Sequence, residues 1–180
     1  GDGGIKSTMP GDWYEAHFGT SMAAPVVSGS AALLIEDYRS IQHDQDPLPS
    51  TVKALMLHTA KDLATEDPSY RLGPDFSSGY GLLQARDAVD QLRSGGFLIN
   101  DVGDNATNTF VLVVEEASQP LKVTLVWDDP PALENAATAL INDLDLVVLS
   151  PDGVRHYPWT LDHEEPAAPA VQNAEDHANN

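Results

Sequence analysis

Cysteine is absent from the 180-residue chain, and lysine and arginine are scarce. The lack of cysteine excludes a disulfide framework and thiol catalysis, although it does not fix the compartment in which the protein works. The chain has 9 Lys plus Arg against 28 Asp plus Glu, a formal net charge of -19. A surface this acidic repels nucleic acid and anionic membranes, so we expect neither as a partner.

Long apolar runs and an amino-terminal leader are also missing. No apolar stretch approaches the roughly 18 residues that a membrane span needs. The chain has no initiating methionine and no charged-then-apolar signal sequence, which predicts a processed chain or a piece of a longer protein. Hydrophobic residues make up 42% of the chain, a proportion typical of a globular protein with a sizeable core.

Among small residues, a serine comes directly before the longest apolar helical pattern in the chain. Ser21 lies where the unpaired N–H groups and the positive dipole end of that helix favour a nearby negative charge. This geometry suits a serine nucleophile, whose attack on a carbonyl creates an oxyanion. Because Pro25 cannot donate a hydrogen bond to the Ser21 carbonyl, we expect the helix proper to begin near Pro25, with Ser21 on the entry turn. The alternative is that Ser21 is an N-cap residue.

The run Gly19-Thr20-Ser21-Met22-Ala23-Ala24-Pro25, followed by Gly29, resembles the serine signature of the subtilisin-like proteases, or subtilases. The resemblance implies that Ser21 is the nucleophile, that Gly19 and Thr20 form the nucleophile loop, and that the Ser21 N–H is one oxyanion donor. The family's Asp and His precede the serine in the chain. The resemblance places both, and the oxyanion-hole Asn, upstream of Gly1. The chain alone is therefore expected to be inactive.

Residues 1–18 are rich in glycine, and we expect a loop there. His17 is close to Ser21 in sequence but shares its loop, so it is not the expected base. Helical spacing predicts three helices: a buried core helix over 22–38, a second over 52–62 capped by Ser50 or Thr51, and a third over 82–92. His58 and Asp62 can pair on the second helix, where a structural histidine is expected rather than a metal ligand.

After the predicted linker Ser94-Gly95-Gly96, the pattern becomes strand-like. Strand candidates are 109–114, 121–127 and 144–149, which favour an antiparallel sandwich or barrel. This part resembles the β-barrel, P-domain-like module that follows the catalytic domain in some bacterial subtilases. The predicted fold is thus an α/β C-terminal portion of a peptidase domain over 1–94, then a jelly-roll-like β-sandwich over 97–180, truncated at its end.

Two aspartates on the last strand candidate suggest a metal site. Asp143 and Asp145 are two residues apart, so both project from one face of a strand. Asp128, Asp129 or Asn142 can add further oxygen atoms from adjoining turns, and calcium takes six to eight such ligands. The alternative is a solvated polar face. The run Asn105-Ala106-Thr107 also fits a glycosylation sequon.

The leading functional hypothesis is a secreted serine endopeptidase that cleaves peptide bonds through an acyl-enzyme. Its expected partners are protein or peptide substrates and the upstream part of the same protease domain. A second hypothesis is a non-catalytic binding or scaffold module in which Ser21 is only a helix cap. An esterase elbow would read Gly-x-Ser-x-Gly, whereas Ala23 stands in the second position after Ser21, which disfavours that class.

Overall fold

The structure is a computed structural model that describes residues 3–65, 67, 69–114, 118 and 120–177. The chain divides into two compact units, one ending at Asp46 and the other beginning at Pro47. Residues 1–2 and 178–180, at the two ends of the chain, lie outside the described residues. So does Gln119, part of a turn predicted between the strand candidates 109–114 and 121–127. The domain division at residues 94–97 stays a prediction. Among the described residues, no helix combines the length and the apolar character that crossing a membrane requires.

The first unit begins with a β-hairpin. Strand β1 (Ile5–Met9) pairs antiparallel with β2 (Trp13–His17), and Met9 lies opposite Trp13. In the connection, Gly11 and Asp12 both have positive φ, a conformation that hairpin loops often require. The prediction of a loop over residues 1–18 was therefore wrong. Of the turn-forming residues, Pro10, Gly11 and Asp12 form the connection and the other glycines precede β1, while the residues on either side of the connection pair in a ladder.

Helix α1 (Thr20–Ile41) completes the first unit. The predicted helix over 22–38 is confirmed and extends further at both ends. Of its residues only Ser30 and Leu34 are buried, whereas the side chains of Val26 and Leu33 are 51% and 57% exposed. The expectation of a buried core helix was wrong for the described residues, because the two-stranded hairpin is too small a surface to cover an apolar helix of this length.

The second unit is built on two helices that pack against each other, α2 (Pro49–Thr59) and α3 (Ala85–Ser94). Their buried apolar side chains are those of Leu55, Met56, Ala88 and Leu92. Leu48 is the N-cap of α2 and Pro49 its first residue, so the predicted caps Ser50 and Thr51 were wrong. Proline suits the first helical position because its fixed φ is already helical and its missing N–H is not needed there.

Between these helices, the chain is held by a short antiparallel bridge between Lys61 and Leu82. Gly81, which precedes Leu82, has a φ of +104°, and a Cβ at this position would overlap the carbonyl oxygen of Lys61. Only glycine fits so close to another backbone. A second glycine, Gly95, ends α3 in the left-handed conformation and donates its N–H to the Leu92 carbonyl at 3.1 Å.

Little regular strand pairing follows α3. Strands β3 (Val148–Leu149) and β4 (Arg155–His156) form a two-residue antiparallel pair. The predicted strands at 109–114 and 121–127 are not paired within the described part of the chain, and of 144–149 only the last two residues pair. Alternating apolar residues indicate a strand, but a strand forms only where a neighbouring backbone offers hydrogen bonds. No sandwich or barrel is confirmed.

Candidate active site

Ser21 is the second residue of α1, and it is exposed. The N-cap before it is Gly19, with φ 127° and ψ 178°, a conformation that is essentially open to glycine alone. The expectation that Ser21 lies on an entry turn before Pro25 was wrong. The helix begins at Thr20 and contains Pro25 within it.

The backbone around Ser21 leaves hydrogen-bonding groups free. The Gly19 carbonyl accepts the N–H groups of Met22 and Ala23, at 3.0 and 3.2 Å. The N–H groups of Thr20 and Ser21 have no acceptor among the described residues. At the start of a 22-residue helix, such N–H groups carry the positive end of the helix dipole. They can therefore stabilise an anion that forms beside the Ser21 hydroxyl.

The Ser21 hydroxyl does not cap the helix. The N-cap position belongs to Gly19, and no side chain makes a capping hydrogen bond at this end. By contrast, the hydroxyls of Ser28 and Ser30 on the same helix donate to the carbonyls of Ala24 and Val26, at 3.2 and 2.9 Å. The interpretation of Ser21 as a helix cap was therefore wrong. Its role as a nucleophile stays a prediction.

His17 does not act on Ser21 in this structure. It ends β2, and its Nε2 lies 3.4 Å from Oε2 of Glu15 on the same strand. This Nε2 is shielded from solvent and has no hydrogen-bond partner among the described residues. That His17 is not the base stays a prediction.

Two of the three predicted calcium ligands lie together, and they are joined by a histidine. Nδ1 of His177 is 2.8 Å from Oδ2 of Asp143 and 3.8 Å from Oδ1 of Asp145. The hydrogen bond to Asp143, and then its charge, raise the pKa of His177. All three side chains are exposed. Sequence reasoning missed His177 because it follows Asp143 by 34 positions, with no local pattern that connects them.

Asp128 makes a separate contact. Its carboxylate accepts the backbone N–H of Ser50 at 2.9 Å and the Ser50 hydroxyl at 2.8 Å, at the start of α2. Among the described residues, the group of Asp143, Asp145 and His177 does not include Asp128, and a metal site that Asp128 shares with the two aspartates stays a prediction. What remains is two carboxylates and a ring nitrogen, which fall short of the six to eight oxygen ligands of calcium. The described residues alone do not fit that ion.

The histidine of α2 has a structural role, as expected. Nδ1 of His58 is 3.0 Å from Oγ1 of Thr124, and burial lowers the pKa of this half-buried ring, with a further contribution from the charge of Lys122. The predicted pairing of His58 with Asp62 was wrong. The Asp62 carboxylate instead accepts the N–H groups of Ala64 and Gly73, at 2.9 and 2.7 Å.

Comparison with known proteins assigns the segment that carries Ser21. Residues 3–81 match the sequence model of the Subtilase family. Over 92 residues, or 51% of this chain, the chain is 36% identical to "Bacillopeptidase F" of Bacillus subtilis (strain 168). Over 85 residues, or 47% of the chain, it is 34% identical to "Subtilisin" of Bacillus pumilus. No solved structure gives a significant match.

The aligned part of this chain spans 6% of the first relative and 26% of the second. Residues 3–81 carry this similarity to the subtilase family, and they include Ser21 near the N-terminus of α1.

Proposed function

We propose that the chain is part of a secreted serine endopeptidase and that Ser21 is its nucleophile. One observation carries the proposal: the Ser21 hydroxyl is exposed at the start of a 22-residue helix, next to unpaired N–H groups, within the segment that matches the subtilases. The substrates are peptide bonds of proteins or peptides. The net charge of -19 disfavours nucleic acid and anionic membranes as partners.

In the proposed mechanism, a base takes the proton of the Ser21 hydroxyl as its oxygen attacks the substrate carbonyl. The carbonyl oxygen becomes anionic and accepts the Ser21 N–H, which has no acceptor among the residues that the structure describes. The peptide bond then breaks, the base returns the proton to the leaving amine, and water hydrolyses the acyl-enzyme. Gly19 admits the backbone conformation that exposes this hydroxyl.

The base, its aspartate and the oxyanion-hole asparagine belong, in this proposal, to a part of the protease domain outside these residues. We therefore expect the purified 180-residue chain to show negligible peptide hydrolysis, since the loss of the base removes several orders of magnitude in rate. A casein or peptide assay measures this. Robust turnover that Ser21→Ala leaves intact would place the active site elsewhere.

The decisive experiment labels the longest natural form of the protein with a fluorophosphonate and maps the adduct by mass spectrometry. We expect the label on Ser21, and its loss in Ser21→Ala. Ser28→Ala is the matched control, because Ser28 is an exposed serine on the same helix whose hydroxyl is already bonded to a carbonyl. Failure of an active preparation to carry the label at Ser21 would refute the proposal and favour a non-catalytic binding or scaffold module.

The second part of the proposal concerns the region after α3. We propose that residues 97–180 contribute to a β-sandwich-like module that stabilises the peptidase domain or places it on substrate. Val111 and Val113, within the strand candidate 109–114, are 90% and 85% exposed. Exposed apolar side chains of a strand candidate favour packing against a further layer, which would bury them, and pairing with a neighbouring strand would satisfy the backbone.

Calcium binding near Asp143 and Asp145 also stays a prediction. It requires oxygen ligands beyond these two side chains, because calcium takes six to eight. A rise in the melting temperature with calcium that Asp145→Asn abolishes would support it. An unchanged melting temperature would contradict it.

A further inference from the structure

An open groove lies within the second unit, in the part of the chain that follows α2. Its volume is about 480 Å³, and its walls include Tyr70, Arg71, Leu72, Trp159, Pro169 and Ala170. This volume falls in the range of sites that bind small molecules, about 300–1,000 Å³. None of these residues has a part in the chemistry proposed for Ser21.

Both walls of the groove are fixed by hydrogen bonds. On one side, the Tyr70 carbonyl accepts the N–H of Thr65 at 3.0 Å, and the Arg71 N–H donates to the buried carboxylate of Asp75 at 3.2 Å. On the other side, Thr160 and Val171 exchange two backbone hydrogen bonds, at 2.9 and 3.0 Å. This bridge holds Trp159 and Ala170 on one wall, so the groove is a built feature of the fold.

The indole of Trp159 is seated against a glycine. A Cβ at position 73 would lie 2.9 Å from Cδ2 of Trp159, and Gly73 also has a φ of +84°. A contact this close leaves no room for a side chain. The glycine therefore lets the indole lie directly against the backbone at position 73.

Arg71 gives the groove an uncompensated positive charge. Its Nε is shielded from solvent and has no hydrogen-bond partner among the described residues. Its side chain also forms no ion pair there, although the chain has 28 acidic residues and only 9 Lys plus Arg. A guanidinium without an ion pair favours a carboxylate, the partner that it binds best.

We propose that this groove binds the C-terminal residue of a peptide, with its free carboxylate on Arg71 and an apolar side chain against Trp159. A C-terminal residue carries both groups on one Cα, which matches a cation beside aromatic and aliphatic walls. A polyanion is disfavoured by the net charge of -19 and by Asp67, which also lines the groove. One guanidinium compensates one carboxylate.

The first test compares two probes by isothermal titration calorimetry with the 180-residue chain. N-acetyl-phenylalanine carries the free carboxylate, and N-acetyl-phenylalanine amide replaces it with a neutral group. We expect the acid to bind at least about tenfold more tightly, as a charge-assisted hydrogen bond predicts. Equal affinities, or no binding of the acid, would overturn the proposal. N-acetyl-glutamate α-amide carries its carboxylate on the side chain and not at the C-terminus. If it binds more tightly than N-acetyl-phenylalanine, the assignment of the groove to a peptide C-terminus is overturned.

The second test changes the protein. Arg71→Gln should reduce the affinity for the acid about tenfold, to that of the amide, and Trp159→Leu should weaken both probes. Arg86→Gln is the matched control, because Arg86 is 91% exposed on α3 and should have no effect. If Arg71→Gln fails to fold by circular dichroism, Arg71→Lys replaces it: this variant keeps the charge but loses the planar fork, so an intermediate affinity is expected. Acid binding that is unchanged in a folded Arg71 variant would refute the proposal.

Discussion

Gly19 determines the backbone direction with which the chain enters α1. Its φ of 127° and ψ of 178° lie in a region that residues with a Cβ avoid, and no heavy atom stands within 4 Å of where a Cβ would be. Glycine is therefore needed for its backbone conformation, and not because neighbouring atoms leave no room for a side chain. Thr20 and Ser21 follow with their N–H groups unpaired, so the exposed hydroxyl depends on a residue that it does not touch.

Gly19→Ala is expected to destabilise the first unit by about 1–3 kcal/mol, because alanine in this conformation is strained. Gly29→Ala is the matched control. Gly29 lies in the interior of the same helix with open space around it, so alanine should stabilise by about 0.5–1 kcal/mol. Thermal unfolding followed by circular dichroism measures both. Equal effects of the same sign would contradict the conformational explanation.

The pKa values of His177 and His58 are expected to be shifted in opposite directions from the ordinary value of 6.5. The hydrogen bond to Asp143 raises the pKa of His177. The stability from this contact is therefore complete below pH 6.5 and is lost as pH rises through the raised pKa. Burial lowers the pKa of His58, so the stability linked to its neutral form is present above pH 6.5 and is lost as pH falls through the lowered value.

Nuclear magnetic resonance titration of the ring protons measures both values in one sample. Asp143→Asn should return the pKa of His177 towards 6.5 and leave that of His58 unchanged. An unchanged pKa of His177 in this variant would show that the Asp143 contact does not form in solution.

At the scale of elements, helix α2 obtains its N-terminal partner from a distant segment. Its N-cap, Leu48, makes no capping hydrogen bond with its side chain. Asp128 instead accepts both the N–H and the hydroxyl of Ser50, which is 78 positions away in the chain. A carboxylate at this end also complements the helix dipole. The contact joins α2 to the turn that follows the strand candidate 121–127. That strand candidate forms no ladder within the described part of the chain.

Asp128→Ala should destabilise the second unit by about 1 kcal/mol, as the loss of a helix cap predicts. Because Ser50→Ala removes the hydroxyl but leaves the backbone N–H, its cost should be smaller. Chemical denaturation of the two single variants and the double variant measures the coupling between them. Effects that simply add would contradict a direct contact in solution.

The sequence predicted the three helices in their order, since helical periodicity and helix-ending glycines are local signals. The start of α1 was predicted wrongly because Pro25 was expected to mark the beginning of the helix, whereas the helix is continuous on both sides of this residue. The sequence pattern missed the β1–β2 hairpin and predicted a strand at 109–114 that does not pair within the described part of the chain. For the hairpin and the strand candidate, the deciding factor is a partner backbone, which a single segment does not encode. The contact of His177 with Asp143 was unpredictable for the same reason.

At the scale of the whole molecule, exposed apolar side chains favour association of copies of the chain, whereas the negative charge opposes it. Val26, Val27, Leu33 and Ile41 of α1 are each more than 40% exposed, which amounts to an apolar surface along one helix. Such surfaces favour association. The net charge of -19 repels other copies over a distance that salt shortens.

We therefore expect the 180-residue chain to associate, and to do so more strongly at 0.5 M than at about 0.05 M salt, where the Debye length is longer. Light scattering after size-exclusion chromatography measures this. Leu33→Glu should reduce the association. The matched control Ser40→Glu adds the same charge at an exposed polar position of α1 and should change it less. A monomer at both salt concentrations would contradict this expectation.

The contact between Gly73 and Trp159 links two distant positions of the chain in their evolution. A side chain at 73 would displace the indole, so a replacement there is tolerated only after the tryptophan has become smaller. Relatives that keep a bulky aromatic residue at the position of Trp159 should therefore keep glycine at the position of Gly73. In evolution, the aromatic residue should be lost before the glycine.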